Sequence, residues 1–330
     1  MPSLMTQFWE ARNPPADPTH LSLKGKTVLV TGANSGMGFH AAMKYAQLGV
    51  SKMILAVRSK EKGEAAKALI NHKTSSSADI VVMTVDLTEF ASVAAFCRRV
   101  SEEVGELHVV LLCAGVMMPR FTLSPEGYEL NLQVNVLSTA LMALLLLPKV
   151  RETGARSAGR GGGGDPAHLC FLNSLATQEV DEKWIPPGDR SLIERINDSS
   201  SFDHISQYYL VKLAARYFMR GMADACGGDK NVVINCCCPA MCRTNLHQNY
   251  DLFTRIIVYP YKLLCGRTAE QGARTLVSAT GLGRESHGRL WLNDELPPPA
   301  MFLATERSEN LYHRTFDEIM AILREKANFE

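Results

Sequence analysis

Thr31-Gly-Ala-Asn-Ser-Gly-Met-Gly38 follows directly on the apolar run Lys26-Thr-Val-Leu-Val30 and leads into Phe39 to Leu48, where apolar residues recur at helical spacing. A short apolar run ended by Thr31-Gly32 reads as a buried strand. The turn that follows holds Gly32, Gly36 and Gly38. Glycine lets the backbone turn tightly and approach a ligand without a Cβ clash. The helix N-terminus beyond it offers unpaired N–H groups and a positive dipole end, which suit a pyrophosphate seated on Ser35 to Gly38. The spacing is G-x-x-x-G-x-G, wider than G-x-G-x-x-G, and three glycines alone are also compatible with a structural turn that holds nothing.

The same rhythm continues outward. Apolar runs at Met53 to Val57, Ile80 to Val85, His108 to Cys113, His168 to Leu172, Val232 to Cys236 and Leu290 to Trp291 read as strands. Between them lie helical stretches at Lys60 to His72, Ser92 to Val104, Tyr128 to Val150 and Tyr208 to Ala225. Strands alternating with helices specify a parallel, doubly wound α/β sheet of Rossmann type. About seven strands in a single domain over residues 25–330 are expected, preceded by an irregular arm over residues 1–24. Two segments break the rhythm. Ser157 to Asp165, with its glycine run 161–164, reads as a flexible surface loop. Residues 246–267, with Phe253, Ile256, Ile257, Tyr259, Tyr261 and Leu263, read either as an amphipathic helix packed on the core or as a lid over an apolar substrate pocket.

The composition narrows the function. The chain has 330 residues, 46% hydrophobic, ample for a large core. Its 35 basic and 34 acidic side chains nearly cancel, which leaves no footprint for nucleic acid. Nine cysteines without regular spacing argue against a disulfide framework. Cys236, Cys237 and Cys238 are adjacent, and neighbours on a strand point to opposite faces, so no metal site is expected. The N-terminus lacks a secretory pattern. The longest apolar run, Leu141 to Pro148, falls short of the roughly 20 residues a membrane span needs. A cytoplasmic protein without a membrane span is the expectation.

Cofactor choice is read at the end of the second strand. An acid there would accept from a ribose 2′-OH, whereas a 2′-phosphate is attracted by arginine. The sequence is Ala56-Val57-Arg58-Ser59-Lys60, with no acid and with positive charge from Arg58 and Lys60, which favours NADP(H). Asp86, after the third strand, is placed to meet an adenine amino group, with Leu87 packing nearby; its alternative is to cap the next helix.

Reduction of a carbonyl builds negative charge on oxygen, which an enzyme must protonate and steady. Tyr208 and Lys212 are four apart, hence on one helix face, where the lysine can lower the pKa of the phenol. Tyr209 competes but is three from Lys212. Ser174, at the carboxyl end of a strand, faces the crevice where doubly wound folds bind ligands; its alternative is a turn or cap. Asn135 lies in an apolar helix, and a water chain to Lys212 would satisfy its amide.

Together these residues resemble the classical short-chain dehydrogenase/reductase family over roughly residues 24–300. Thr31 to Gly38 matches T-G-x-x-x-G-x-G, and Asn135, Ser174, Tyr208 and Lys212 fall in the order of its catalytic tetrad. Pro239-Ala-Met-Cys-Arg-Thr244 resembles the P-G-x-x-x-T segment at the nicotinamide end. The resemblance implies cofactor contacts from Gly32, Asn34, Ser35, Gly36, Met37 and Gly38 in the loop and from Arg58, Asp86 and Leu87 at the adenosine end. It implies others from Cys113, Ala114, Gly115 and Asn135, and from Tyr208, Lys212, Pro239, Met241 and Thr244. Two departures stand out. Leu112 occupies the place of an asparagine that braces the sheet, and Ala240 replaces the glycine after Pro239. Lys52 to Arg58, Val134 to Ser138 and Glu285 to Gly288 are most similar to fungal members related to retinol dehydrogenases, many of which act in secondary-metabolite pathways. That similarity implies a hydrophobic polyketide, terpenoid or alkaloid substrate. The helices 128–150 and 208–225 are apolar around their circumference, which burial against a second subunit or in a large core would explain, and the family resemblance implies a homodimer or homotetramer. The rival readings are a catalytically silent NADP-binding regulatory protein and an epimerase or dehydratase of the extended branch.

Overall fold

Seven strands form one all-parallel sheet: β1 (Thr27–Thr31), β2 (Lys52–Val57), β3 (Asp79–Thr84), β4 (Val109–Leu112), β5 (Ala167–Leu172), β6 (Val232–Cys238) and β7 (Leu290–Leu292). They are seen in a computed structural model that describes residues 3–159, 164–188, 190–327 and 329. The strand order is β3-β2-β1-β4-β5-β6-β7. From β3 to β1 the order runs one way. The chain then crosses to β4 on the far side of β1, which opens a crevice at the carboxyl ends of these two strands.

Both faces of the sheet are covered, so the strands read as continuous apolar runs. Leu29, Ile54 and Val110 point into one core, shared with α4 (Phe90–Glu103), α6 (Ser138–Gly159), α8 (His204–Ala225) and α11 (Glu306–Lys326). Val28, Met53 and Val109 point into the other, shared with α2 (Gly36–Gln47), α3 (Lys60–Thr74) and α10 (Ala269–Ala279). The three adjacent cysteines divide the same way: Cys236 and Cys238 enter the first core and Cys237 the second.

Three expectations are corrected. The N-terminal arm is not irregular throughout: α1 (Leu4–Arg12) is a helix, capped by the Ser3 hydroxyl, which accepts from Thr6 N. Ser157 to Gly159 belong to the last turn of α6, and of the glycine run, Gly161 to Gly163 lie outside the described residues. The long helix expected from Tyr128 is a single turn, α5 (Leu130–Leu132), then a π-helical turn over Gln133–Leu137 and then α6. Of the two explanations for the apolar circumference of α8, burial within the chain is the one seen. One side lies on the sheet and the other lies under α11, where Phe218 stacks on Phe316 with centroids 5.8 Å apart and Tyr217 Oη shares a 2.7 Å hydrogen bond with Ser308 Oγ. The remaining helices are α7 (Leu192–Ile196), packed on α8, and α9 (Leu252–Cys265), packed on α1.

The run Leu130–Gly159 is, among the described residues, the one helical stretch long and apolar enough to cross a membrane. Its apolar window is 72% buried inside the fold, as a core helix must be.

Candidate active site

Every residue expected at the site except Lys60 lines one cavity of about 1160 Å3 at the carboxyl ends of the strands. The glycine loop forms its floor. Gly32 and Gly36 adopt φ of +66° and +54°, which glycine reaches at no steric penalty. A Cβ on Gly38 would stand 2.5 Å from the Gly32 carbonyl oxygen, so α2 can approach β1 this closely only with glycine there. Most helices of the fold have a side-chain cap, but Ser35, at the N-cap of α2, makes no such bond, and its orphan N–H groups open on the cavity. This is a cradle for an anion with room for a pyrophosphate.

The two departures from the family pattern are resolved by geometry. Leu112 is buried in the core, and the brace across the sheet comes from Thr31 instead: its hydroxyl accepts from Cys113 N and Ala114 N, both at 2.9 Å. Ala240 keeps the left-handed turn that glycine would make, with φ of +59°. That conformation costs an L-residue about 1–2 kcal/mol, and it holds Pro239, Met241 and Thr244 along the cavity wall.

At the far end of β2, Arg58 is exposed on the cavity rim without a carboxylate partner among the described residues. Lys60 does not line the cavity; Lys62 does. The physical reason is helix phase. Ser59 caps α3 by accepting from Lys62 N at 3.3 Å, which turns Lys62 toward the loop and Lys60 away. The Ser59-x-x-Lys62 spacing was the signal for this. Asp86 lines the cavity but does not cap α4; its carboxylate accepts from Thr88 N at 2.9 Å and Thr88 Oγ1 at 2.8 Å, closing a turn before the helix.

Ser174, Tyr208 and Lys212 converge in the middle of the cavity. Ser174 caps the turn that follows it and lies on the cavity wall beside Tyr208. Its hydroxyl accepts from Ala176 N at 3.2 Å. Lys212 Nζ donates to the Leu172 carbonyl oxygen at 3.1 Å. The expected lowering of the phenol pKa by Lys212 is not met: burial dominates and pushes Tyr208 up to about 12, with the Ser174 side chain acting the other way. Burial likewise lowers the Lys212 pKa. Tyr209 also lines the cavity, with its ring edge-on to Trp184 at 5.2 Å.

Asn135 lines the same cavity. It sits in the π turn, and its amide is satisfied by Val116: Oδ1 accepts from Val116 N and Nδ2 donates to Val116 O, each at 2.9 Å. A side chain bonded to both polar groups of one backbone unit fixes the loop after β4.

Asn173 was missed. It is 3% exposed, its Oδ1 accepts from Ser174 N at 2.7 Å, and its Nδ2 donates to Lys212 O at 3.3 Å. It therefore ties the end of β5 to α8, the two elements that carry the central trio. A polar residue ending an apolar strand beside Ser174 was the available signal, since a buried amide needs partners. Asn173→Ala leaves two buried backbone groups without these bonds, a loss of about 1–3 kcal/mol. We expect a lower Tm and a kcat reduced about tenfold, with the KM for cofactor little changed. Unchanged steady-state kinetics would remove Asn173 from the site.

The cavity wall toward the open end is mostly apolar, with Leu130, Val134, Leu175, Leu246 and Tyr261. α1 also contributes Gln7 and Glu10, which no sequence pattern singled out.

Comparison with known proteins agrees with this geometry. The model of the short chain dehydrogenase family matches residues 26–160. The short-chain dehydrogenase/reductase ffsI of Aspergillus flavipes is 37% identical, over 96% of this chain and 91% of that protein. The short-chain dehydrogenase/reductase phmF of Phaeosphaeria nodorum is 37% identical, over 95% of this chain and 90% of that protein. Among solved structures, L-sorbose reductase from Gluconobacter frateurii, complexed with NADPH and L-sorbose, superposes with a TM-score of 0.61 at 17% identity, covering 86% of this chain and 98% of that one. A 3-ketoacyl-(acyl-carrier-protein) reductase from Brucella melitensis, complexed with NADH, gives 0.59 at 18% identity, covering 82% and 97%.

Proposed function

Because this chain belongs to the short-chain dehydrogenase/reductase family, we propose that it is an NADP(H)-dependent oxidoreductase interconverting a ketone or aldehyde and an alcohol on a hydrophobic small molecule. The observation that carries this reading is the convergence of Ser174, Tyr208 and Lys212 on the same cavity as the glycine cradle. The residues present fit a nicotinamide dinucleotide: the uncapped start of α2 for the pyrophosphate, Arg58 and Lys62 for a 2′-phosphate, and Pro239 to Thr244 for the nicotinamide end. When bound, the cofactor supplies or accepts the hydride. Ser174 and Tyr208 hydrogen-bond the substrate oxygen, and Tyr208 gives its proton as charge builds there. Lys212 holds the proton store behind the phenol, and Asn135 keeps the loop after β4 in place. Residues 246–267 act as the lid, and the apolar walls below them favour a substrate of polyketide, terpenoid or alkaloid type, as in secondary metabolism. Assembly into a homodimer or homotetramer would use a surface other than the outer face of α8, which α11 already covers.

The test is consumption of NADPH by the purified chain with a panel of apolar ketones and aldehydes. Turnover of an apolar carbonyl supports the reading, and none across the panel despite NADPH binding would sink it.

The direction of the pKa shift sets a pH prediction. A phenol pushed up to about 12 stays protonated across the neutral range, as a proton donor must be, and only its ionised form can act as a base. Reduction should therefore be nearly flat between about pH 6 and 9, whereas alcohol oxidation should rise about tenfold per pH unit. Parallel kcat/KM profiles in the two directions check this, and a plateau in oxidation below pH 8 would contradict it.

A further inference from the structure

α1 and α9 pack side by side over the open end of the cavity. Tyr261 Oη donates to Gln7 Oε1, Arg12 Nη1 donates to the Leu264 carbonyl at 3.1 Å, and Arg267 Nε donates to the Glu10 carbonyl at 3.1 Å. Their inner faces, with Gln7, Glu10, Thr254, Tyr261 and Lys262, line the cavity. Their outer faces are apolar and uncovered: Met5 is 74% exposed, Trp9 63%, Phe253 73%, Ile256 59%, Tyr259 63% and Leu263 51%. Of the thirteen large exposed hydrophobic side chains among the described residues, nine belong to these two helices. Scattered single residues need no explanation, but a concentration of this kind marks a contact surface.

The charges around the patch select its occupant. Arg12 and Arg255 are exposed beside it, and Arg12 lies over the Phe8 ring at 3.3 Å. The acids of the two helices are turned to other tasks. Glu10 lines the cavity and accepts from Asn293 Nδ2 at 2.9 Å, and Asp251 caps α9 by accepting from Thr254 N and Oγ1. An apolar face that carries Trp and Tyr, with Arg255 and Arg12 exposed along it and a single acid, Asp251, at the start of α9, matches the headgroup region of an anionic bilayer, where aromatic rings settle at the interface and basic side chains meet lipid phosphates. Neither helix can span: α1 has 9 residues and α9 has 14, against roughly 20 for a membrane crossing. They can only lie in the plane of the interface.

We propose that α1 and α9 form a membrane-docking surface that seats the protein on anionic lipid with the mouth of the cavity facing the bilayer. The surface follows from exposure and charge, and it does not depend on the oxidoreductase reading.

The test is co-sedimentation of the full chain with vesicles of phosphatidylcholine alone and of phosphatidylcholine mixed with phosphatidylglycerol. Tryptophan emission is followed in parallel. Binding to the anionic vesicles, with a blue shift, weaker binding to neutral ones and release by high salt, is the expected result. The triple variant Trp9→Ser, Phe253→Ser, Ile256→Ser, whose residues lie outside the cavity, should lose at least tenfold in vesicle affinity with an unchanged near-ultraviolet dichroism spectrum. Arg255→Glu should remove the preference for anionic lipid while leaving the fold intact. Three results would overturn the proposal: no binding to either vesicle, a triple variant that binds as the parent does, or a concentration-dependent dimer without lipid that the triple variant abolishes, which would make the patch a contact with a second copy.

Discussion

Tyr208→Phe is expected to reduce kcat by about 100- to 10,000-fold, the usual worth of positioned acid–base catalysis, while NADPH still binds. The substitution removes one oxygen and leaves the ring, which is half-buried against its neighbours on α8. On the proposed mechanism, what it deletes is the proton donor. Nothing else nearby takes over. Tyr209 is turned toward Trp184, and Lys212 is held by the Leu172 carbonyl. If Ser174 and Tyr208 act on the same oxygen, as proposed, Ser174→Ala combined with Tyr208→Phe should cost little more than Tyr208→Phe alone, as expected for groups that fail together. Steady-state NADPH oxidation, with a fluorescence titration for binding, separates the two effects. Near-normal turnover in Tyr208→Phe would remove the whole trio from the chemistry. Loss of NADPH binding as well would mean that the phenol matters to the architecture of the cavity, not to proton transfer.

How much of this was legible in the sequence depends on where each signal resides. The seven strands were readable because a parallel sheet buried on both faces writes itself as uninterrupted apolar runs, bounded here by Gly32, Arg58, Asp86 and Gly115. The central trio was readable because its spacing is local: four residues on one helix, and one serine at the end of a strand. What was not readable rests on contacts distant in the chain. α1 has no core-facing apolar stripe, since Met5 and Trp9 point outward, and it is held by bonds from Tyr261, Arg267 and Arg12 that pair it with α9 and the segment after it. The π turn at Asn135 follows from a clamp on Val116, 19 residues away. The electrostatics were misjudged for a related reason: spacing tells that Lys212 lies near Tyr208, but not that burial outweighs it and that its ammonium is committed to Leu172. Residues 246–267 illustrate the limit from the other side. Their apolar content was plain, yet only the packing reveals that Tyr261 faces the cavity while Phe253, Ile256, Tyr259 and Leu263 face out.

Arg58→Ala should weaken NADPH binding about 10- to 100-fold, the equivalent of losing one charge-assisted hydrogen bond, and leave NADH binding almost unchanged. The argument is one of differential charge. Arg58 is exposed, without a carboxylate partner among the described residues, so no existing ion pair must break before it meets a phosphate. No acid stands at the end of β2 to accept from a ribose hydroxyl or to repel a 2′-phosphate. Lys62 lines the same wall and should contribute less, because a flexible ammonium contacts phosphate as a point charge whereas a guanidinium grips it with two parallel bonds. The pair should act on one dianion, so Arg58→Ala with Lys62→Ala should fall short of the sum of the two single losses. Since the interaction sits at the solvent-exposed rim, the preference should also shrink as salt rises. Fluorescence titration of the parent and both variants with each cofactor decides it. Selective loss for NADPH assigns the 2′-phosphate to this wall. Equal binding of NADH and NADPH by the parent would leave the enzyme class standing and overturn the role given to Arg58. Binding of neither would leave a cradle of this shape with a different anion to account for it.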